Sequence, residues 1–469
     1  MSAEKILQSL WQIGAGAPSA LAQVAFSGNT QQLPSTFHIG QLASASIAAQ
    51  ALAAAEIALL RGGQRQTIEI NQRHALAMFR SDRYLTINGQ AAADPWSKIA
   101  GYYQAGDGRW IQLHTNFDHH RDGVLAILQC ADDKAQVAHA IRQWKAAELE
   151  NALAQANMCA AMIRSQDEWR AHSQAQAIAH LPLFEIERIG DGPAMPVNAH
   201  QSAASTSPRP LDGVRVLDLS RVIAAPVGAR TLAQHGADVL AISAAHLPNI
   251  ESLIMDTGRG KRSAELDLRS AQGRQNLQQL VAGADVFLQA YRPGALSLHG
   301  FSAEELCQRH PGLIYVSLSA WGHLGPWAKR RGFDSLVQSA SGIAHEEGVA
   351  AKLAGPGKLP FQALDHTTGY LIAYATMLAL ARRAREGGSY HIRLSLAQTG
   401  QTLQNMGRCG LHEHASELNS AEVAGFLQSS DSPWGKMQAI APVEAMSATP
   451  AFFATAGSKL GSDAARWMK

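Results

Sequence analysis

Short apolar segments alternate with helical stretches in the second half of the chain, and this alternation limits the possible folds more than any other feature. The segments are VRVLDLS (214–220), VLAIS (239–243), ADVFLQA (284–290) and LIYVSLS (313–319). Strands that alternate with helices predict a parallel sheet with helices on both faces. We therefore expect an α/β chain with a doubly wound, Rossmann-like large domain, which binds ligands at the carboxyl ends of its strands.

The first 210 residues show different patterns of apolar and polar residues, and these patterns predict a smaller α+β domain. An Ala-rich, nearly uncharged stretch (43–60) predicts a buried helix, and TIEIN (67–71) alternates like a strand. Farther along, the patterns predict a hairpin at 101–114, helices at 119–180 and a strand at 181–190. The predicted units are an N-terminal helical segment (1–80), a small domain (81–190), a Pro-rich linker (191–210), a large domain (211–430) and a tail that packs on it (431–469).

Part of the N-terminal segment repeats part of the large domain at a spacing of 324 residues (361 minus 37 and 392 minus 68). Phe37 then pairs with Phe361 and Ile68 with Ile392, and both intervals read as an Ala-rich helix, a Gly-Gly stop and a strand. Two buried helices can share alanines by chance, but the common order of elements favours a duplication. At this spacing Gln41, an amide, pairs with Asp365, a carboxylate.

Composition excludes several classes of protein. Lys plus Arg is 40 and Asp plus Glu is 38, a balance that argues against a dedicated nucleic-acid binder. The four cysteines lie far apart, so neither a disulfide scaffold nor a Cys-based zinc site is expected. We find no secretory signal, and the longest apolar run (371–381) is shorter than a membrane span. A cytoplasmic protein without membrane partners is the expectation.

One carboxylate stands out as a candidate for chemistry. Asp365 opens a long apolar helix in LPFQALDHTTGYLIAYATMLALARR, where it would either cap the helix or act as a nucleophile on an activated acyl group. The chain contains neither GxGxxG nor GxSxG, so local motifs support neither an ordinary dinucleotide site nor a hydrolase elbow. His114, His119 and His120 invite a metal site, but adjacent histidines point to different faces, and we expect no metal.

Residues 211–400 resemble the class III CoA-transferases, the CaiB/BaiF group. The motifs that carry the resemblance are LDGVRVLDLSRVIAAP, LAQHGADVLAI, TGRGKRSAELDLRS, GADVFLQAYRPGALSLHGF, HPGLIYVSLSAWGHLGP, RGFDSLVQSASGIA, ALDHTTGYLIAYATMLALARR and GGSYHIRLSL. The resemblance implies an acyl-CoA:carboxylate CoA-transferase whose nucleophile is Asp365 and whose substrates are an acyl-CoA and a carboxylic acid. Family members are interlocked dimers, which implies a homodimer, and the 17% charged fraction agrees with extra buried interface.

The resemblance also implies a set of residues that bind coenzyme A. They are Val222, Ile223, Leu266, Arg269, Tyr291, Arg331 and Phe333. Each has an ordinary alternative, a solvated charge for the arginines and loop packing for the others. The clusters RGKR (259–262) and KRR (329–331) are further candidates for the phosphates of CoA.

The sequence departs from the family pattern in three ways, and these departures leave alternative functions open. The small domain (81–190) precedes the large one, whereas in the family it follows, so the chain reads as a rearranged, fused tandem. Ile242–Ala244 and Leu298 replace positions that often bind CoA, which leaves a CoA-binding protein without turnover as one alternative. Related racemases on the same fold carry a His where Phe333 stands, and its absence argues against an isomerase.

Overall fold

The computed structural model of the 469-residue chain describes residues 1–28, 33–93, 96–197, 209–410 and 416–468. Part of the predicted linker, residues 198–208, lies outside the described residues. The fold is α/β, as the alternation of strands and helices predicts, and consists of one large, mostly parallel sheet and three smaller sheets.

The N-terminal segment is built around one helix that is buried on all sides. The elements are α1 (Ala3–Ile13), β1 (Val24–Ser27), α2 (Ile39–Leu60), β2 (Ile68–Asn71), α3 (Gln72–Met78), α4 (Ser81–Tyr84), β3 (Thr86–Ile87) and β4 (Gln90–Ala91). Among the described residues, α2 is the one helix long and apolar enough to cross a membrane, but 83% of its apolar window is buried inside the protein. Its Ala-rich sequence packs in the core, as predicted.

The small domain is a three-stranded antiparallel sheet with helices around it. Its elements are β5 (Gly101–Gln104), β6 (Trp110–Leu113), α5 (Asp118–Leu128), α6 (Lys134–Ile141), α7 (Ala146–Gln155), β7 (Ala160–Met162), α8 (Gln166–Ala171) and α9 (Ser173–Ile178). The predicted hairpin is β5 and β6. The helical prediction for 119–180 missed β7, three residues that pair with β6 and are too short to show a strand pattern.

The large sheet has seven strands in the order β11-β10-β9-β12-β13-β14-β8. They are β8 (Phe184–Gly190), β9 (Arg215–Leu219), β10 (Asp238–Ser243), β11 (Arg262–Glu265), β12 (Val286–Gln289), β13 (Ile314–Ser319) and β14 (Ser389–Ser395). All are parallel except β8, which pairs antiparallel with β14 at the edge, although the sequence assigned it to the small domain. The strand order reverses between β9 and β12, and a crevice at that point is where ligands bind in such sheets.

The helices of the large domain cover both faces of the sheet. They are α10 (Ala224–Gln234), α11 (Glu251–Thr257), α12 (Ala271–Val281), α13 (Ala303–Arg309), α14 (Asp334–Ala340), α15 (Ile343–Ala350), α16 (Ala363–Glu386) and α17 (Leu396–Asn405). The longest helix, α16, packs against α10 and α2 in the main core. Two glycines permit the close approach: a Cβ on Gly228 would lie 2.9 Å from the Gly369 oxygen, and one on Gly369 would lie 2.6 Å from the Ala224 oxygen.

The repeat is visible in the backbone. α2 begins at Ile39 and α16 at Ala363, which are 324 residues apart (363 minus 39). The Ile39 N–H donates to the Phe37 oxygen (2.8 Å), and the Ala363 N–H donates to the Phe361 oxygen (2.9 Å). Asn71 and Ser395, at the same spacing, both cap the helix that follows the strand. Both copies therefore share the element order helix, strand, capped helix.

The C-terminal residues contact both the N-terminal segment and the large domain. The elements are α18 (Ser420–Val423), β15 (Leu427–Ser432), β16 (Gly435–Ile440) and β17 (Glu444–Met446). β16 pairs with β3, and β17 pairs with β2, whose edge is otherwise open on that side. In the large domain, Arg259 donates to the Ile440 oxygen (2.6 Å), and the Asp463 N–H donates to the Ser263 oxygen (2.8 Å).

Candidate active site

Two cavities meet at the carboxylate of Asp365. The larger one, which we call the cleft, has a volume of about 360 Å³ and lies at the carboxyl ends of β9 and β12, with Phe117, His119 and His120 of the small domain on its other side. The smaller one, which we call the inner pocket, has a volume of about 60 Å³ and lies between Phe361, Trp96 and the start of α16. Asp365, Val222, Ile223 and Phe333 line both cavities.

Asp365 is the third residue of α16 and does not cap it. The N-cap is Gln362, which makes no side-chain capping bond. The backbone N–H of Asp365 donates to Oδ2 of Asp334 at 2.9 Å, so a second carboxylate takes over the capping role. The capping interpretation of Asp365 is therefore wrong, because its side chain is left to face the cavities.

The electrostatic environment of Asp365 is unusual for a carboxylate. Its side chain is buried, and no donor among the described residues hydrogen-bonds to it. Burial and then the neighbouring Asp334 raise the pKa of Asp365 well above its ordinary value. Burial also raises the pKa of Asp334 to about 6. The hydrogen bonds that Asp334 accepts from the backbone of Asp365 and from Gln338 lower this pKa, but their effect is smaller than that of burial. The two carboxyl groups share one buried region and titrate together.

Two backbone contacts fix the start of α16. The N–H of Asp365 is bonded to Asp334, and Gly369 lies against the Ala224 oxygen at the crossing of α10 and α16. The role of Gly369 is steric, since it brings the loop before α10 close to Asp365.

That loop holds a strained residue beside the nucleophile candidate. Val222 has φ of 76°, a left-handed conformation that a β-branched side chain rarely adopts. Such strain costs on the order of 1–3 kcal/mol and concentrates at functional sites. Ile223, the next residue, precedes the first residue of α10. Both side chains line the cleft and the inner pocket, which agrees with their predicted position beside the thioester.

Three guanidinium groups give the cleft a positive lining. Arg221 donates to the Pro248 oxygen (3.0 Å), Arg292 to Asn157 Oδ1 (2.8 Å) and Arg331 to His120 Nε2 (2.9 Å). Within the described part of the chain, none of the three forms an ion pair with a carboxylate. Unpaired cations that line a concave surface attract polyanions such as phosphates.

The predicted CoA-binding residues divide into two groups. Val222, Ile223, Tyr291, Arg331 and Phe333 line the cleft together with Asp365. Leu266 and Arg269 line neither cavity: Leu266 is buried in the core beside β11, and Arg269 is exposed and pairs with Asp267 at 2.7 Å. Both follow the carboxyl end of β11, on the same edge of the sheet as the cleft, and their contact with CoA stays a prediction.

The basic cluster at 259–262 is structural. Arg259 is fully buried and pairs with Asp256 (2.8 Å), and Lys261 is buried and pairs with Asp218 (2.8 Å). Arg262 pairs with Asp238. The prediction that this cluster binds phosphate is therefore wrong, because its charges are already neutralised inside the protein.

Two histidines of the small domain lie beside Phe333 at the site. His114 stacks on Phe333 with ring centroids 3.8 Å apart, and burial lowers its pKa to about 3. His120 accepts from Arg331 and lies 3.7 Å from the Cys159 sulfur; burial, then the charges around it, lower its pKa to about 3. Both imidazoles are thus neutral at physiological pH.

Several residues of the site were missed by the sequence analysis. Asp334 belongs to the motif RGFDSLVQSASGIA. It stands 31 residues before Asp365 in the chain, so no local sequence pattern linked the two carboxylates. Arg221 and Arg292 each follow a predicted strand closely, a position that favours ligand contact, but the implied CoA set did not include them.

Comparisons with known proteins place these features in context. The family model described as CoA-transferase family III matches residues 211–449. The chain is 28% identical to an acetyl-coenzyme A transferase of Hypoxylon pulicicidum, over 82% of this chain and 73% of that protein. It is 31% identical to a probable fatty acyl-CoA transferase of Mycobacterium tuberculosis, over 47% of this chain and 59% of that protein.

A further relative and a solved structure cover less of the chain. The identity is 31% to the succinyl-CoA:glutarate CoA-transferase of Mus musculus, over 40% of this chain and 46% of that protein. A crystal structure of a CAIB/BAIF family protein from Brucella suis aligns with 32% identity and a TM-score of 0.38, over 42% of this chain and 56% of that one. The chain thus spans about three quarters of the Hypoxylon relative and about half to three fifths of the others.

Proposed function

The chain belongs to CoA-transferase family III, and from this premise we propose that it moves CoA from an acyl-CoA donor to a carboxylic acid through an intermediate on Asp365. The observation that carries the proposal is the position of this carboxylate. It is buried and lies where the cleft meets the inner pocket, and no described group donates a hydrogen bond to it. A carboxylate without hydrogen-bond donors is a stronger nucleophile than one that is solvated or paired.

The proposed reaction begins with attack on the donor thioester. An oxygen of Asp365 bonds to the acyl carbon, the carbon–sulfur bond breaks, and CoA leaves as a thiolate, which gives a mixed anhydride. The thiolate then attacks the aspartyl carbonyl of the anhydride, which gives an aspartyl-CoA thioester and releases the donor acid. Both steps keep the energy of the thioester on the enzyme.

The acceptor acid repeats these steps in reverse. Its carboxylate attacks the aspartyl-CoA thioester and expels CoA thiolate, which forms a second mixed anhydride. The thiolate attacks the acceptor carbonyl, and the new acyl-CoA leaves while the carboxylate of Asp365 is regenerated. No proton is consumed, so the first demand on the site is that Asp365 is ionised when it attacks.

The cleft would hold CoA and the inner pocket the acyl group or the acid. Arg221, Arg292 and Arg331 are free of carboxylate partners among the described residues and match the phosphates of CoA in charge. The inner pocket is closed by Trp96, Phe361 and Phe333, whose rings would limit the access of water to the anhydride.

We also propose a cytoplasmic homodimer with one active site per chain. The four cysteines are free, which suits a reducing compartment. Residues of the small domain (Phe117, His119, His120) and of the large domain (Val222, Asp365) line one cleft, so both halves of a single chain contribute to the site. The balanced charge supports the absence of a nucleic-acid partner.

The experiment that tests the function is an exchange assay on the full chain. Purified protein is incubated with acyl-CoA donors and isotopically labelled acids, and mass spectrometry follows the label into new acyl-CoA. We expect transfer by the wild type and none by Asp365→Asn, with Asp191→Asn, a fully exposed carboxylate, as the matched control. Equal transfer by the wild type and Asp365→Asn would contradict the proposal, as would no transfer with any pair.

A further inference from the structure

The inner pocket carries information about the acid that it accepts. Its volume of about 60 Å³ leaves room for roughly four to six water molecules at ~10–15 Å³ each, whereas the cleft has about 360 Å³. Since the reacting carboxyl group lies at Asp365, on the boundary with the cleft, the pocket suits the remainder of a short acid. A long acyl chain would extend beyond this pocket.

Three buried polar atoms on the wall of this pocket have no hydrogen-bond partner among the residues that the structure describes. They are Nδ1 of His114, Oγ of Ser335 and Nδ1 of His366. The three side chains are 7%, 7% and 2% exposed. Buried polar groups are nearly always paired, and three unpaired ones around one cavity require an explanation. A ligand with a polar substituent would supply the missing partner.

The charges around the pocket indicate what kind of substituent this is. Three carboxyl groups line it, those of Asp82, Asp334 and Asp365, against the single guanidinium of Arg83. The imidazoles add no positive charge, because burial lowers the pKa of both His114 and His366 to about 3. A second carboxylate on the ligand would face like charges, whereas a hydroxyl group is neutral and can both donate and accept.

We propose that the inner pocket selects a short hydroxy acid over an unsubstituted acid or a dicarboxylic acid of the same length. This inference rests on the proposed function for the identity of the pocket as an acid site. The hydroxyl group bonds to Ser335 and to one of the neutral imidazoles, and the remainder of the chain packs against Phe333 and Phe361. An acid without the hydroxyl group leaves the three polar atoms unpaired, which penalises its binding.

The test compares three acids with four carbons each: butyrate, 3-hydroxybutyrate and succinate. Ligand-observed NMR titrations on the full chain with bound CoA give a dissociation constant for each acid without any need for turnover. We expect 3-hydroxybutyrate to bind about tenfold more tightly than either of the others. Equal affinities, or a preference for butyrate or succinate, would overturn the inference.

Two buried serines provide a matched pair of variants. Ser335→Ala should reduce the preference for 3-hydroxybutyrate to about threefold or less. Ser341→Ala should keep it, because Ser341 also has an unpaired buried Oγ but does not line the pocket. Loss of the preference in both variants, or in neither, would overturn the inference; if neither variant folds, the comparison of acids on the wild type decides.

A failure of this inference is distinguishable from a failure of the proposed function. If 3-hydroxybutyrate binds preferentially but no acyl-CoA is exchanged with any acid, the transferase proposal fails while the selectivity of the pocket stands. If exchange proceeds and the three acids bind alike, the transferase proposal stands and the selectivity fails.

Discussion

A pair of carboxyl groups dominates the site at the scale of single residues. Burial and then the negative charge of Asp334, which accepts the N–H of Asp365, raise the pKa of Asp365 well above its ordinary value. Because only the ionised form attacks a thioester, activity should fall as the pH drops through this raised pKa, at a higher pH than for an ordinary aspartate.

Replacement of Asp334 tests this coupling. Asp334→Asn keeps an oxygen that can accept the N–H of Asp365 but removes the negative charge, so the pKa of Asp365 falls. We expect the acidic limb of the profile of kcat against pH to move to lower pH. Asp191→Asn, which changes a fully exposed carboxylate, should leave the limb in place. A limb that moves to higher pH in Asp334→Asn would contradict the coupling.

The resemblance assigns two arginines to CoA binding, and the structure leads to a different prediction for each. Arg331 lines the cleft without a carboxylate partner among the described residues, whereas Arg269 is exposed and paired with Asp267. Arg331→Gln should raise KM for the acyl-CoA by about tenfold or more, since a hydrogen bond to a charged group contributes ~1.5–3 kcal/mol. Arg269→Gln should have a clearly smaller effect, as measured by steady-state kinetics over a range of acyl-CoA concentrations. An equal or larger effect of Arg269→Gln would show that CoA extends along β11.

The loop residues of the site were predicted more accurately from the sequence than the charged residues were. Val222, Tyr291 and Phe333 follow strands or begin helices in family-like motifs, and the structure brings them to one cleft. The clusters of basic residues were misleading, since Arg259 and Lys261 are both buried in ion pairs. Arg259 pairs with Asp256, one helical turn before it, and Lys261 pairs with Asp218, 43 residues earlier in the chain. Pairing across distant segments leaves no local pattern in a sequence.

At the scale of elements, the crossing of α10 and α16 positions the site. The Gly369 backbone lies so close to α10 that an added Cβ would be 2.6 Å from the Ala224 oxygen and 2.7 Å from the Val227 side chain. The same crossing sets the distance between the Val222–Ile223 loop and Asp365, so packing and chemistry depend on one glycine.

Gly369→Ala should therefore lower stability and activity together. Overpacking costs about 1–3 kcal/mol in the free energy of unfolding, measured by urea denaturation. Gly425→Ala is the control, because nothing lies within 4 Å of its added Cβ, and we expect a change within about 0.5 kcal/mol. A Gly369→Ala variant as stable and active as the wild type would mean that the helices separate freely and that the crossing does not position the loop.

The elements that the sequence predicted are those with long, periodic patterns. The parallel strands β9, β10, β12 and β13 and the buried helices α2 and α16 were found this way, whereas β11, the polar sequence RSAE, was not predicted. β7, with three residues, and β3 and β4, with two each, are too short to show a period. The place of β8 beside β14 also could not be predicted, since pairing of strands far apart in the chain depends on which edge is left open.

At the scale of the whole molecule, both halves of one chain line the cleft at Asp365, and α2 repeats the position of α16. Gln41 is the third residue of α2, as Asp365 is of α16, but it lines neither the cleft nor the inner pocket. The two copies pack against each other in the interior, where α2 and α16 are in contact in the main core.

This architecture predicts a stoichiometry. Light scattering on the full chain should report about twice the 50.1 kDa chain mass, and calorimetric titration with CoA should give one site per chain. A monodisperse monomer would contradict the dimer and leave the single site intact. Two CoA sites per chain would show that the copy around Gln41 still binds CoA.

The central claim is that Asp365 carries the acyl and CoA groups in turn, and hydroxylamine trapping tests it most directly. The wild type is mixed with a donor acyl-CoA that supports exchange, quenched with hydroxylamine, digested, and analysed by peptide mass spectrometry. We predict a hydroxamate on the peptide that contains Asp365, dependent on the acyl-CoA, and none in Asp365→Asn. An unmodified Asp365 under turnover, or a hydroxamate on a different carboxylate, would contradict the account.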